Sequence, residues 1–359
     1  MKDPVEIHDD GSRDLYDVAT WEPRTALDRL AERTYSRALR AGRAFVVGLG
    51  VLLLILILAG GIGGVLLDNP FVIGLVVLSI IPAALLVTYV YVTDVTTAEP
   101  PTLLIATFVL AVLFAGFAAI INGILGILQL LPVFGIVLFF YLVVGPVEET
   151  VKMLAIRLYA FRDDRFDSVI DGAVYGAVAG LGFATIENAL YITQNIETPA
   201  MVFGQALIDL PLPGGIGSQI GETLEAGGGI TAVRGLAGPG HVIYSAFAGY
   251  YLGLAKFNPD NAGPIVAKGL LIAAFIHATY NTLVGIVPGL VLLLVPDVSI
   301  IVVFFGFVVV YDGLFFYVLY RKLRRYRRVF NDATSDAAPH DLPVARTEFD
   351  PASTPRRDW

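Results

Sequence analysis

Four stretches of the sequence set acids, imidazoles and amides inside otherwise apolar runs. They are Gly145-Pro146-Val147-Glu148-Glu149-Thr150-Val151-Lys152, Phe183-Ala184-Thr185-Ile186-Glu187-Asn188, Gly238-Pro239-Gly240-His241 and His277-Ala278-Thr279-Tyr280-Asn281. Ionisable side chains inside a bilayer are costly, and those that persist usually face a bundle interior or a wet cavity in the service of a function. The chemistry these groups suit is water activation. A carboxylate can take a proton from water while an imidazole or amide stabilises the developing oxyanion. Equally, His241, His277 and a glutamate could hold zinc, with a second glutamate as base. Spacing alone leaves both routes open.

The four groups fall at one depth. At about 1.5 Å per helical residue, Arg162 back to Glu148 is roughly 21 Å, and Asp171 forward to Glu187 is roughly 24 Å. Lys256 back to His241 is roughly 22 Å, and Pro264 forward to His277 is roughly 20 Å. Helices of opposite direction thus carry their polar residues to a common level, which predicts one site. Gly172, Gly176 and Gly180 form a small-xxx-small ridge on which another helix can pack closely. Glu187 follows Gly180 by seven residues and shares that face. His277 and Asn281, spaced i,i+4, project from the same side of their helix, and Ser245 and Gly249 extend the face of His241. Pro146 and Pro239 each stand two residues before a key polar residue, where a new helical segment can begin. The amides of such a helix start would favour ionised Glu148 or Glu149 and disfavour charge on the His241 ring. Broken helices at membrane depth are tolerated where they line a water-filled cavity.

The elements that must hold these residues are membrane helices. The chain has 359 residues, 56% hydrophobic and 16% charged. Its mean hydropathy is +0.73, too apolar for a soluble domain, in which charged residues approach about a quarter. Cys is absent, which excludes disulfides, thiolate metal sites and Cys nucleophiles. Apolar runs long enough to cross a bilayer lie near 44–67, 71–93, 101–122, 128–160, 168–194, 234–256, 263–287 and 297–320, the fourth broken at Gly145-Pro146. The expected fold is therefore all-α, a polytopic membrane helix bundle of about eight transmembrane helices. Arginines from Arg24 to Arg43, Arg157 with Arg162 and Arg165, Lys256 with Lys268, and Arg321 to Arg328 then share one side, while the external loop 195–230 has no Lys or Arg. That places both termini in the cytoplasm. Residues 1–43 read as a polar, amphipathic cytoplasmic segment without a signal-peptide core, and 25–43 suits a helix on the membrane surface. Residues 44–320 read as the membrane-embedded domain, and 321–359 as a basic juxtamembrane stretch followed by a disordered tail.

Taken together, these motifs resemble the PrsW family, within the wider superfamily of CAAX-type and bacteriocin-processing membrane proteases. The resemblance covers about residues 85–285. It consists of Asp94 with Glu99-Pro100, Glu148-Glu149-x-x-Lys152, Phe183-x-x-x-Glu187-Asn188, Arg234 before Pro239-x-His241, and His277-x-x-x-Asn281. Each motif alone is weak; their order along membrane helices is specific. Glu187-Asn188 stands where CAAX-type members carry a His, and Lys152 stands one position before their usual Arg. The first and last spans carry no part of the likeness. The resemblance implies an intramembrane endopeptidase of the cell membrane that cuts membrane-anchored proteins, described in the family both as a metalloprotease and as a glutamate-type protease. On that footing Glu148 or Glu149 is the general base, with the other carboxylate held by Lys152 or Arg157. His241 and His277 bind zinc or the oxyanion, Asn281 is an amide donor, and Glu187 is a zinc ligand or a second acid/base. Lys152, Asn188 and Arg234 support the set.

Other chemistries are absent from the sequence: an H-E-x-x-H zincin helix, a rhomboid-like Gly-x-Ser-Gly, and a phosphate-cradling loop. No basic face suits nucleic acid. Asp312 follows Tyr311 in the last span without a partner Gly-x-Gly-Asp and reads as structural. Two rivals remain. A proton-coupled transporter would also bury acids and histidines but should carry inverted repeats, and none is visible. A noncatalytic scaffold would have no use for the whole acid and histidine set.

Overall fold

The computed structural model describes residues 12, 14–16, 20–96, 99–132, 134–196, 216–295 and 297–334. Among them ten α-helices run in chain order: α1 (Ala26–Ile57), α2 (Gly63–Asp68), α3 (Phe71–Tyr91), α4 (Pro101–Leu125), α5 (Gly135–Phe139), α6 (Gly145–Leu158), α7 (Val169–Gln194), α8 (Ile216–Lys256), α9 (Ala262–Leu294) and α10 (Ile300–Thr334). Apart from an isolated bridge between Tyr16 and Thr20, the described chain is helix, turn and loop. The chain divides into two compact units, Met1–Val51 and Leu52–Trp359.

In the first unit a reciprocal cap opens α1. Thr25 Oγ1 accepts from the Asp28 amide at 3.1 Å, and the Asp28 carboxylate accepts from the Thr25 amide at 2.7 Å, so two otherwise orphaned donors are satisfied. The expected surface helix over 25–43 is not a separate element, because α1 continues unbroken through Ile57. No Pro or Gly pair falls near Arg43 to stop it. Leu27, Leu30 and Leu39 on this stretch are exposed.

The second unit is built on α7. Ser168 caps it and Asp171 answers, forming a complete capping box. The glycine ridge then sets how closely α8 approaches: a Cβ at Gly172, Gly176 or Gly180 would collide with the backbone oxygens of Gly249, Ser245 and His241 in turn. On α8, a Cβ at Gly253 would stand 2.6 Å from the Val169 oxygen. Backbones this close forbid any side chain between them, which is the use of a small-residue ridge. We expect Gly176→Leu to destabilise the detergent-solubilised protein by about 1–3 kcal/mol or more through overpacking. The matched control is Gly306→Leu, where a Cβ meets nothing within 4 Å. Thermal unfolding of the two variants should differ, and equal melting would refute the ridge.

Among the described residues six helical stretches are long and apolar enough to cross a membrane: Ala26–Gly60, Phe71–Tyr91, Pro101–Leu130, Val169–Gln194, Pro259–Leu294 and Val302–Asp332. The molecule is an all-α polytopic membrane bundle. The two other expected spans coincide with α5–α6 and the second half of α8. These carry Glu148, Glu149 and Lys152, and Arg234 and His241, so the polar residues that mark them also lower their apolarity. Before α6 the chain makes a π-helical turn, Phe140–Val144, and Pro146 sits in the first turn of α6, so the expected break at Gly145-Pro146 is present as a π turn.

At Pro239 the expectation fails. α8 runs through it without a new start. Gly235, four residues earlier, and the flanking Gly238 and Gly240 leave the backbone free to absorb the ring, which would otherwise strain against the preceding turn. With no helix start there, no half-helix dipole bears on His241. The loop expected over 195–230 is also shorter than expected, since α8 already begins at Ile216. Gly227 serves close packing: a Cβ there would lie 2.6 Å from Leu75 Cδ1. The remainder of that loop, the tail beyond residue 334 and much of the N-terminal segment lie outside the described residues.

Candidate active site

α6 brings Glu148, Glu149 and Lys152 into the bundle on one side, and all three are buried. Glu149 is wholly enclosed. Its Oε1 accepts from Lys152 Nζ at 2.7 Å and meets His277 Nδ1 at 2.9 Å, while Oε2 accepts from Ser245 Oγ at 3.1 Å. An ionised carboxylate only accepts, so His277 donates from Nδ1 and turns Nε2 to the other side of the ring. That nitrogen lies 3.7 Å from Glu148 Oε2. Glu148 Oε1 accepts from Asn122 Nδ2 at 3.2 Å, whereas its Oε2 is buried without a hydrogen-bond partner.

Lys152 also reaches His241, with Nζ 3.0 Å from Nδ1. An ammonium can only donate, so Nδ1 accepts and the His241 proton sits on Nε2, which donates to Glu187 Oε2 at 2.8 Å. The two histidines, 5.2 Å apart and edge to face, thus donate to their carboxylates from opposite ring nitrogens. Phe183 covers the lysine, its ring centroid 4.4 Å from Nζ. Arg157, the other basic residue considered for the glutamate pair, instead stacks on Phe161 at 4.4 Å.

Glu187 is held from its far side by Arg234, at 2.6 Å. Arg234 also donates to Asn188 Oδ1 at 2.8 Å and lies 4.4 Å from the Tyr191 ring. Asn188 completes the tie by donating to Ser79 Oγ on α3 at 3.0 Å. Glu148, Glu187, Arg234, His241, His277 and Asn281 all line one cavity of about 430 Å³. Glu149, Lys152 and Asn188 stand behind its wall.

Several contributors were not singled out from the sequence. Asn122 is a lone amide at the far end of α4, and counting its depth from the charged end of that span would have found it. Tyr244 packs on His277, ring centroids 5.4 Å apart, and its hydroxyl donates to Asp312 Oδ1 at 2.8 Å. Asp312, read as structural, therefore reaches the site through Tyr244, a contact between α8 and α10 that no local pattern announces.

Groups able to activate water, enclosed by apolar helices, make the class clear: an intramembrane hydrolase. Residues 99–311 match the family described as PrsW family intramembrane metalloprotease, more than half of the chain, and the chain belongs to this family. It is similar to Protease PrsW of Geobacillus kaustophilus, 28% identical over 206 residues covering 56% of this chain and 76% of that protein. Against Protease PrsW of Oceanobacillus iheyensis it is 28% identical over 219 residues, 60% of this chain and 86% of the other. For Protease PrsW of Shouchella clausii the figures are 24% over 209 residues, 58% and 82%. No solved structure matches. The family match extends into α10 as far as Tyr311, although the last span carries no motif legible by eye. The chain is an integral membrane protein and an intramembrane protease.

Proposed function

We propose that the chain cleaves membrane-anchored proteins in the cell membrane, with Glu148 as general base and His241, His277 and Glu187 as the ligands of a zinc ion. The observation that carries this reading is the buried Oε2 of Glu148, which has no hydrogen-bond partner and faces His277 Nε2 at 3.7 Å and Lys152 Nζ at 3.9 Å. A buried carboxylate oxygen left without a donor is costly, and a water or cation between these groups would satisfy it. The donor set suits the metal: ligand atoms of His241 and His277 fall within 4.8 Å of each other and of one from Glu148, Glu187 Oε2 stands 2.8 Å from His241 Nε2 as the second carboxylate, and two imidazoles with a carboxylate are characteristic of catalytic zinc. Bound there, zinc would act as a Lewis acid toward a carbonyl or water.

The remaining work belongs to the chain. Glu149 fixes the His277 ring so that Nε2 faces the cavity. Ligation through His241 Nε2 would release the proton there to solvent and require one from Lys152 Nζ, 3.0 Å away, on Nδ1, so that the ring stays neutral. Arg234 keeps Glu187 oriented beside it. Glu148 accepts a proton from the attacking water and returns it to the leaving amine, and Asn281 offers an amide to the oxyanion. Residues 44–320 act as the protease domain, crossing the membrane eight times with both termini cytoplasmic, which agrees with the distribution of Lys and Arg.

The test is metal analysis of the purified chain alongside cleavage of a membrane-anchored reporter. We expect about one zinc per chain, falling at least 10-fold in occupancy at fixed free zinc in His277→Ala, since a catalytic site depends on each of its three protein ligands. Glu148→Gln should keep the metal and lose turnover. If Glu148→Gln loses the metal while Glu187→Gln retains it, the two carboxylates exchange roles. Metal content unchanged in His241→Ala and His277→Ala would sink the zinc reading.

A further inference from the structure

A second set of acids joins Asp94 and Glu99, the first motif of the resemblance, to Asp171, and includes none of the Glu/His site residues. Asp94 is in the turn after α3, Glu99 just precedes α4, and Asp171 is in the first turn of α7. One oxygen from each falls within 4.8 Å of the other two. Asp171 and Glu99 are buried, Glu99 only 1% exposed. Local hydrogen bonds use part of the set. Asp171 accepts from the Asp167 and Ser168 amides at 2.7 and 2.8 Å, Asp94 Oδ1 from the Val95 amide at 2.6 Å, and Glu99 Oε2 from the Tyr175 hydroxyl. Two oxygens remain: Glu99 Oε1 and Asp94 Oδ2 are both buried with no hydrogen-bond partner.

Capping accounts for Asp171 but not for the other two acids. No ion pair among the described residues includes any of the three. Lys256, whose charge acts on Asp171 and Glu99, gives its hydrogen bond to the Asp163 carbonyl oxygen at 2.9 Å. Two buried oxygens without a hydrogen-bond partner at a triad of acids call for a positive charge that no described residue brings into contact with them.

We propose that Asp94, Glu99 and Asp171 form a binding site for a hard divalent cation, Ca²⁺ or Mg²⁺, distinct from the Glu/His site. An all-oxygen donor set selects such ions and offers little to the softer metals favoured by imidazole. The ion ties the α3–α4 connection to the start of α7, the helix that carries Glu187 at its other end. The proposal does not depend on the protease assignment.

Tyr175 supplies a reporter, because a tyrosine bonded to a ligand of the site can sensitise Tb³⁺, an oxygen-seeking stand-in for Ca²⁺. The experiment titrates the full chain in detergent with Tb³⁺ under tyrosine excitation, then adds Ca²⁺ or Mg²⁺. We expect saturable emission displaced by one of these ions and unaltered in His277→Ala. Removing one ligand charge should weaken the site roughly tenfold or more, so Glu99→Gln and Asp94→Asn should each shift the titration by that amount. Tyr175→Phe should lose emission while Ca²⁺ still protects the protein against thermal unfolding. Asp94 is only partly buried, so its variant covers the case in which Glu99→Gln fails to fold. Absence of saturable emission, or emission unchanged in Asp94→Asn, overturns the site and leaves a proton shared among the carboxylates as the explanation.

Discussion

Glu148→Gln is expected to lower cleavage by about 10²–10⁴-fold, the range typical for removal of a positioned general base, with folding and metal content preserved. Two adjacent glutamates that sequence alone leaves equivalent stand in different surroundings. Glu149 is fully enclosed and bonded to Lys152, Ser245 and His277, so it can meet neither water nor substrate. Glu148 lines the cavity with one oxygen held by Asn122 and the other without a hydrogen-bond partner. Gln retains the volume and an acceptor for Asn122 but cannot take a proton. Glu149→Gln should act differently, through the His277 ring. A partner that orients a ligand is typically worth about 10–100-fold in metal affinity or activity. Raising free zinc should therefore restore part of the rate in Glu149→Gln and none in Glu148→Gln. Equal recovery in both, or an active Glu148→Gln, would remove Glu148 from the base role.

Lys152→Met is expected to destabilise the protein by about 3–5 kcal/mol, as when one partner of a buried ion pair is removed and the other charge is left behind. Nζ is the shared donor to Glu149 and His241, which belong to α6 and α8, and it lies under the Phe183 ring of α7. Its loss strands the Glu149 carboxylate and frees the His241 tautomer. The readout is thermal unfolding in detergent, paired with the double variant Lys152→Met, Glu149→Gln. Removing both charges should recover most of the lost stability without activity, because replacing both members of a buried pair is far less costly than breaking it. If the single variant melts like the parent, the lysine is not the hub that these distances describe.

Much of the architecture was legible in the chain because a bilayer restricts what can cross it. Long apolar runs must be helices, so most boundaries followed from hydropathy alone. The Gly172-Gly176-Gly180 ridge was also readable, since spacing of four fixes a helix face and absence of a side chain fixes how close a neighbour can come. What misled was local chemistry without its surroundings. Pro239 and the glycines near 227 look like punctuation, yet α8 runs through both. Proline's cost is absorbed by adjacent glycines, and glycine's by packing against α3, neither of which one segment can report.

The sequence by itself determined which residues could share a level, because helical rise converts residue count into depth, and it determined the kind of chemistry, because acids and imidazoles persist in lipid only for a use. Only the tertiary structure decided how they are arranged. Which glutamate faces the cavity, which histidine nitrogen meets which partner, and that Asn122 and, through Tyr244, Asp312 reach the set depend on contacts between helices far apart in the chain. Those contacts are set by rotation and close approach about each helix axis, quantities that depth along the axis does not contain.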